Sequence, residues 1–458
     1  MDSSLEGLTV ARVQRYLTRG PRYTSYPTVP VWQQGEFRTT WAAALERLRA
    51  PARSAPPAVS IYVHLPFCRK LCTFCGCNRT ITHQRPLMVR YLEALEREID
   101  ATVARTGPLE IHQLHFGGGT PTWYRPAELG RVVAAVGRLG TFAAGAERSV
   151  EVHPTVTTEE HIAVLAGLGF KRFSLGVQDT DQDVQVAINR EQTVAQTVAT
   201  IEAARRHGAD GINLDLVYGL PRQTLKTWQH TLNEVLEWSP DRLAVYSFAY
   251  IPGMFKAHAR AIRPTDLPPP ETKILLLLEA LRTLGKAGYE YIGMDHFAKP
   301  GDELTRARDD GSLHRNFMGY TTRRGLPQLG FGVSAISDLR VPGFAAYAQN
   351  AKDLPAYLAG AEGDGVPVIR WHQLDDDDRE RRELIETLLC LGRLPGSAVE
   401  RHPEAAAAVA GHVADGLLEP TADGWKATPV GRVFLRNLAL PFDRYYDPAG
   451  RERFSATV

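Results

Sequence analysis

The chain has 458 residues, room for two to four domains at roughly 100–200 residues each. Apolar residues make up 44%, enough for a large core, and 53 Lys and Arg stand against 52 Asp and Glu. That balance argues against a protein that coats nucleic acid through bulk charge, and no apolar run reaches the length of about 18 residues that a membrane-spanning helix needs.

The first twenty residues, MDSSLEGLTVARVQRYLTRG, lack the uninterrupted apolar stretch of a secretion signal, so the expected compartment is the cytoplasm. Residues 1–55 are mixed and polar, with a turn-prone segment PRYTSYPTVP at Pro21–Pro30, and form an N-terminal segment. The Pro/Ala-rich string PARSAPPA, Pro51–Ala58, reads as a linker.

From there to residue 345 short β-rich runs alternate with helical patterns, which signals parallel βα units. The predicted strands are Ser60–Leu65, Ile111–Phe116, Ser149–Val152, Arg172–Val177, Ile212–Val217, Arg242–Phe248 and Tyr289–Met294, with a weaker eighth at Phe331–Ile336. Among the helices, Pro86 to about Arg105 carries Leu87, Tyr91, Leu92, Leu95 and Ile99 on one stripe. Thr157 and Glu160 suggest a capping box before the next apolar run. The fold class is therefore α/β, a full or partial (β/α) barrel over residues 56–345. From residue 346 the strand rhythm stops. Asp375–Asp378 open a helix with an acidic first turn, which makes Cys390 a buried helix residue, and the end of the chain reads helix, β-turn-β, helix. Residues 346–458 are expected as a small, mainly helical, winged-helix-like domain.

Four of the five cysteines fall between positions 68 and 77, a crowding that points to metal binding rather than to disulfides. In YVHLPFCRKLCTFCGCN, Cys68, Cys72 and Cys75 have the spacing C-x-x-x-C-x-x-C. Three thiolates on one loop can reach three corners of a 4Fe–4S cluster and leave the fourth iron open. The competing zinc reading needs a closed four-ligand shell, and no second cysteine pair follows at the usual distance; Cys77, only two residues beyond Cys75, has an awkward bite.

Other polar and glycine positions fall at or near the C-terminal ends of the predicted strands, where barrel chemistry is placed. Tyr62 and His64 share one strand face. Gly117, Gly118 and Gly119, followed by Thr120, lack the Cβ atoms that keep a ligand away from backbone, although a plain glycine turn reads the same way. Glu151 ends the third strand, Gln178 lies just past the fourth and Asp215 near the end of the fifth. Asp215 sits in the apolar run LDLVYG, where a carboxylate requires partners.

The cysteine spacing, with Phe74 before the last cysteine, resembles the radical S-adenosylmethionine (SAM) motif. The longer strings GPRYTSYPT, HFGGGTPT, GVQD, NREQT, NLDLVYGLPRQT, MDHFAKP, LHRNF and GVSAIS, spread over nearly the whole chain, resemble the oxygen-independent coproporphyrinogen III oxidases more closely. That resemblance implies a barrel of the radical SAM type with a 4Fe–4S cluster on Cys68, Cys72 and Cys75. It implies two SAM molecules: Tyr62, His64, Gly118, Gly119, Thr120, Glu151 and Ile336 lie near the first, and Phe74, Gln178, Arg190, Asp215 and Ala249 near the second, with Tyr62, His64 and Glu151 as the catalytic candidates. The implied reaction generates a 5′-deoxyadenosyl radical and converts coproporphyrinogen III to protoporphyrinogen IX, a step of haem biosynthesis, with an electron donor and an acceptor that the sequence does not identify. Arg22 is a candidate to fold over the barrel and reach a substrate propionate. The chain departs from the family pattern at His153, Thr155, Tyr250 and Met318. The alternatives are a radical SAM enzyme on another tetrapyrrole, a haem chaperone on the same scaffold, or nucleic-acid binding by the C-terminal part; Cys77 and the PRYTSYPT segment speak against the chaperone, and nothing demands more than a monomer.

Overall fold

The computed structural model describes residues 5, 7–49, 55–449 and 454–457, so the first four residues of the Pro/Ala linker lie outside the described residues. Six predicted strands stand side by side in chain order, all parallel. They are β1 (Ala58–Leu65), β2 (Leu109–Gly118), β3 (Gly140–Val152), β4 (Arg172–Gln178), β5 (Gly211–Tyr218) and β6 (Arg242–Ser247). Alternation drives this arrangement: Val59, Ile61, Val63 and Leu65 of β1 are fully enclosed between sheet and helices. The helix predicted from Pro86 runs Arg85–Thr106, and of its apolar stripe Tyr91, Leu92, Leu95 and Ile99 are buried while Leu87 is half-buried.

The sheet is open, which selects the partial barrel over the full one. Beyond β6 lies an antiparallel hairpin of β7 (Glu290–Gly293) and β8 (His296–Ala298). The run Tyr289–Met294 thus does not add another βα unit. Gly293, Met294 and Asp295 take positive φ (137°, 43° and 81°) and reverse the chain. At the other edge β9 (Gln328–Phe331) pairs in parallel with β1. The predicted strand Phe331–Ile336 is in fact a junction: Gly332 and Ser334, at φ 100° and 61°, break it, and β10 (Ile336–Val341) returns antiparallel. The strand rhythm does not stop at residue 346. β11 (Phe344–Asn350) and β12 (Val368–Gln373) continue the same sheet, and Gln33–Gln34 from the N-terminal segment closes that edge. Helix and three short strands follow, with Asp375 capping the helix Asp376–Leu391 and Cys390 buried within it. The capping box predicted at Thr157 and Glu160 lies one residue on, with Thr158 and His161, because Thr157 instead bonds Thr122 and the His153 carbonyl.

The PRYTSYPT segment is not a loose tail. Tyr23 and Tyr26 are buried, Trp32 stacks on Tyr347 at 4.9 Å, and the buried Arg436 guanidinium donates to the carbonyls of Gly20 and Pro21 and, at 2.5 Å, of Ala456. Residues 20–21 are thereby joined to the last described stretch of the chain. Among the described residues no helix is long and apolar enough to cross a membrane.

One buried carboxylate ties the first long helix to the β9–β10 junction. Glu98 accepts from the Gly332 N–H (2.9 Å), the Asn350 amide (2.7 Å) and the Tyr357 hydroxyl (2.8 Å). Tyr91 completes the link, donating to the His64 carbonyl (2.7 Å) and accepting from Val333 N–H (3.0 Å). Burial raises the Glu98 carboxyl to about 7, against its hydrogen bonds, which lower it. The native state therefore holds this proton more tightly than the unfolded chain. Its contribution is full below the ordinary carboxylate range and is lost as pH rises through about 7. Denaturant titrations of wild type are expected to lose on the order of 3 kcal/mol from this group between pH 5 and 8. Glu98→Gln should flatten that slope; equal slopes for the two proteins would contradict the assignment.

Candidate active site

The loop after β1 carries the cysteines. Its entry is fixed by backbone pairing to the end of β2: Gly119 N–H donates to Leu65 O (2.9 Å) and Thr120 N–H to Phe67 O (3.0 Å). Its exit folds back, with Thr80 N–H on Pro66 O (2.8 Å) and Thr82 N–H on Cys68 O (3.2 Å). Asn189 holds the middle through Leu71 O at 2.6 Å. His64 reaches from β1 to Asn78 O (2.8 Å) through Nε2 and to the Tyr62 hydroxyl (3.0 Å) through Nδ1. Burial lowers the His64 pKa, so the imidazole is neutral at pH 7.

Backbone at Gly119 approaches the loop where no side chain fits. A Cβ there would lie 2.4 Å from Pro66 O and 3.0 Å from Cys68 Sγ. At Gly118, with φ 115°, it would meet the His64 ring at 2.9 Å. Gly118 N–H donates to Glu151 (3.2 Å), and Glu151 also faces His115 at 3.5 Å.

Cys68, Cys72 and Cys75 are unbonded to one another and line one cavity of ≈ 580 Å³ at the C-terminal ends of the strands. Phe74, Gly118, Gly119, Thr120, Glu151, Gln178, Arg190, Asp215 and Ala249 line it too, so the fold brings most of the sequence candidates to one space. Tyr62, His64 and Ile336 do not line it. Tyr62 and His64 act on it through the loop, and Ile336 begins β10, packed beside Trp32 and Tyr347. Arg22 does reach the wall, paired with Asp295 and lying 5.8 Å above the Tyr246 ring.

The donor set fits an iron–sulfur cluster. Thr120 hydroxyl donates to Cys68 Sγ (3.3 Å), partly offsetting the burial that raises this thiol to about 11, and Arg190 Nη1 donates to Cys72 Sγ (3.7 Å). The neighbouring Cys77 thiol holds Cys75 below its ordinary thiol range. Among the described residues no three such side chains converge on a single ion. A cuboidal cluster asks for no such convergence, because each thiolate meets a different iron.

The second half of the cavity is polar. Gln178 sits at φ 71°, a strained backbone position for a non-glycine. Arg190 is 8% exposed; Nη2 donates to Gly176 O at 2.6 Å, while its buried Nε has no partner. Asp215 accepts from Ser174 (3.1 Å) and Asn213 (2.9 Å), and burial with the nearby Glu151 charge raises it to about 6. His153 is held well below its ordinary value by burial, with Arg190 adding to the effect, and its Nδ1 lies 3.0 Å from the Thr155 hydroxyl. Sequence reasoning missed Lys70, Arg79, Phe255 and His258 on the same wall. The first two adjoin the cysteines and were open to inference; the last two lie on a segment with no recognisable pattern.

Residues 62–235 match the model of the Radical SAM superfamily. The oxygen-independent coproporphyrinogen III oxidase of Escherichia coli (strain K12) is 39% identical over 98% of this chain and 98% of its own length. That of Pseudomonas aeruginosa is 38% identical over 97% of this chain and 98% of its own. A solved structure of the Escherichia coli coproporphyrinogen III oxidase, described as a radical SAM enzyme, superposes with a TM-score of 0.87 at 38% identity, covering 96% of this chain and 99% of that one.

The close approach at Gly119 generates a direct test. Gly119→Ala is expected to displace the cysteine loop, lose most of the iron bound on anaerobic reconstitution and cost about 1–3 kcal/mol of stability. Gly130→Ala, where a Cβ meets nothing within 4 Å, is the control and should keep its iron. Full iron content in Gly119→Ala would show that the loop tolerates displacement.

Proposed function

The chain belongs to the oxygen-independent coproporphyrinogen III oxidases, a family of radical SAM enzymes, and from that premise we propose that it converts coproporphyrinogen III to protoporphyrinogen IX in haem biosynthesis. The observation that carries the reading is the convergence of three cysteines, the Gly118–Thr120 backbone, Glu151 and Arg22 on one ≈ 580 Å³ cavity. When bound, the 4Fe–4S cluster and SAM supply one-electron chemistry that removes a hydrogen atom from the substrate.

The chain's own part is to bind, orient and exclude water. Cys68, Cys72 and Cys75 would hold three of the four irons of the cluster. Backbone at Gly118 and Gly119, with Thr120 and Glu151, receives the first SAM on the side where no Cβ intrudes. Tyr62 and His64 keep the loop in register from below. Gln178, Arg190, Asp215, Phe74 and Ala249 line space for a second SAM molecule. Each of two propionates loses a hydrogen from its β-carbon, then carbon dioxide and one electron, leaving a vinyl group. The reaction calls for an external electron acceptor, and the cluster, when bound, would need an external one-electron donor. The N-terminal segment carries Arg22 to the cavity wall, where its guanidinium, paired with Asp295, can also meet a propionate. One chain supplies every residue named, so a monomer suffices. Five free thiols suit the reducing cytoplasm, where we place the reaction.

Anaerobically reconstituted protein, given SAM, dithionite and coproporphyrinogen III, is expected to yield products lighter by one and then two formic acid equivalents. Cys68→Ala should yield none. SAM cleavage with the porphyrinogen mass unchanged would exclude this substrate and direct attention to another tetrapyrrole.

A further inference from the structure

His115 lies on β2, just ahead of the glycine run, with its side chain largely enclosed. Sheet register sets its neighbours: Tyr62 of β1 and Ser149 of β3 stand directly opposite it, and the three side chains share one face of the sheet. The imidazole stacks on the Tyr62 ring, with centroids 5.9 Å apart and planes 14° from parallel. Its Nδ1 lies 2.7 Å from the Ser149 hydroxyl. Its Nε2 stands 3.5 Å from Glu151 Oε1. The ring is thus fixed from two strands and pointed at one carboxylate.

That carboxylate is half-exposed, and its other oxygen, Oε2, accepts from the Gly118 N–H at 3.2 Å. Each oxygen of Glu151 is therefore addressed from β2, one by backbone and one by His115. Gly117 leaves the room for this, since a Cβ there would lie 3.1 Å from both Glu151 Oε1 and His115 Nε2. A carboxylate only accepts, so in the neutral ring the hydrogen sits on Nε2 and the Ser149 hydroxyl donates to the bare Nδ1. Ser149 thereby selects the tautomer that presents a donor to Glu151. Contacts of this kind often tighten when the ligand arrives, and 3.5 Å is a short way from a bond. Glu151 lines both the cysteine cavity and a smaller one of ≈ 140 Å³ inside the barrel, whereas His115 and Ser149 line the smaller one alone. The pair supports the carboxylate from behind and does not meet what the carboxylate binds.

We propose that His115, aimed by the Tyr62 stack and the Ser149 hydroxyl, is the positioning residue that sets Glu151 to receive SAM. The proposal rests on the reading that SAM binds beside the cysteine loop with Glu151 among its contacts. The amino and hydroxyl groups of SAM are donors, so they require a carboxylate whose free lone pairs face them. A half-exposed glutamate has many rotamers, and holding it in one before the ligand comes reduces the entropy lost on binding. Loss of His115 therefore weakens SAM binding without removing a contact to SAM. It leaves the cysteines in place, because the loop hangs on Gly119, His64 and Asn189.

The test uses the full chain, anaerobically reconstituted, reduced and titrated with SAM, and reads occupancy from the change in the cluster's EPR spectrum. Asparagine and glutamine carry the same amide at different reach. The glutamine nitrogen comes where Nε2 stands, the asparagine nitrogen only where Nδ1 stands. His115→Asn is expected to raise the SAM concentration for half the spectral change about tenfold and His115→Gln less than about threefold, both with the iron content of wild type. In a Glu151→Ala background His115→Asn should add less than about twofold, because the histidine acts through the glutamate. A loss that persists undiminished without Glu151, or equal losses from the two amides, would overturn the proposal. Loss of iron in His115→Asn would make the histidine a support of the loop and overturn it too. If wild type responds to SAM and His115→Asn responds equally, the SAM reading stands and the positioning role falls. If wild type does not respond to SAM, the reading itself falls, and the proposal with it.

Discussion

The site depends on one close approach, that of the Gly119 backbone to the start of the cysteine loop. The 2.9 Å bond from Gly119 N–H to Leu65 O lets the loop leave β1 while still registered on β2, and any Cβ at residue 119 would occupy the place of Pro66 O. Sheet register thereby becomes loop position. The three sulfur atoms inherit their placement from parallel strand pairing rather than from the loop itself, whose own regular structure is a two-residue strand pair.

Around that contact, polar side chains reach from distant segments to hold the loop from several sides. His64 works from the strand below, Asn189 from the connection after β4, and Asn78 ties the loop to Lys352 O at 2.9 Å beyond β11. Glu98 and Tyr91 extend the hold to the β9–β10 junction. The chain ends join in a similar manner, with Arg436 buried between them and lowered to about 9 by its burial. A guanidinium accepts such an environment only where carbonyls surround it, and here they come from Gly20, Pro21 and Ala456. The N-terminal segment is thus built into the fold, with Arg22 carried to the cavity wall as a consequence.

Some polar demands are left unmet on the wall of the cysteine cavity. Arg190 is buried with a donor lacking an acceptor, and Asp215 holds a raised carboxyl. Gln178 holds positive φ. Each costs folding stability, and each adjoins or leads to the two cavities. Away from the cavities Arg340 bridges Asp338 and Glu386 at 2.6 and 2.9 Å.

The sequence by itself determined the parallel core and the cysteine cluster, because both are local patterns. A strand with alternate apolar residues must bury one face, and thiolates three or four positions apart share a loop whatever surrounds them. The six strands of the core and the cysteine loop were legible for that reason, whereas Phe74, Arg190 and Ala249 were named only through the family resemblance. The edges of the sheet were not. Whether β7 continues the barrel or turns back depends on three positive-φ residues, one of them the ordinary-looking Met294, and the strands after residue 341 pair with partners that no local signal names. Only the tertiary structure decided that Ile336 packs away from the cavity and that Arg22 meets Asp295. Each of these is a relation between segments far apart in the chain, fixed by how sheet edges, helices and chain ends close on one another.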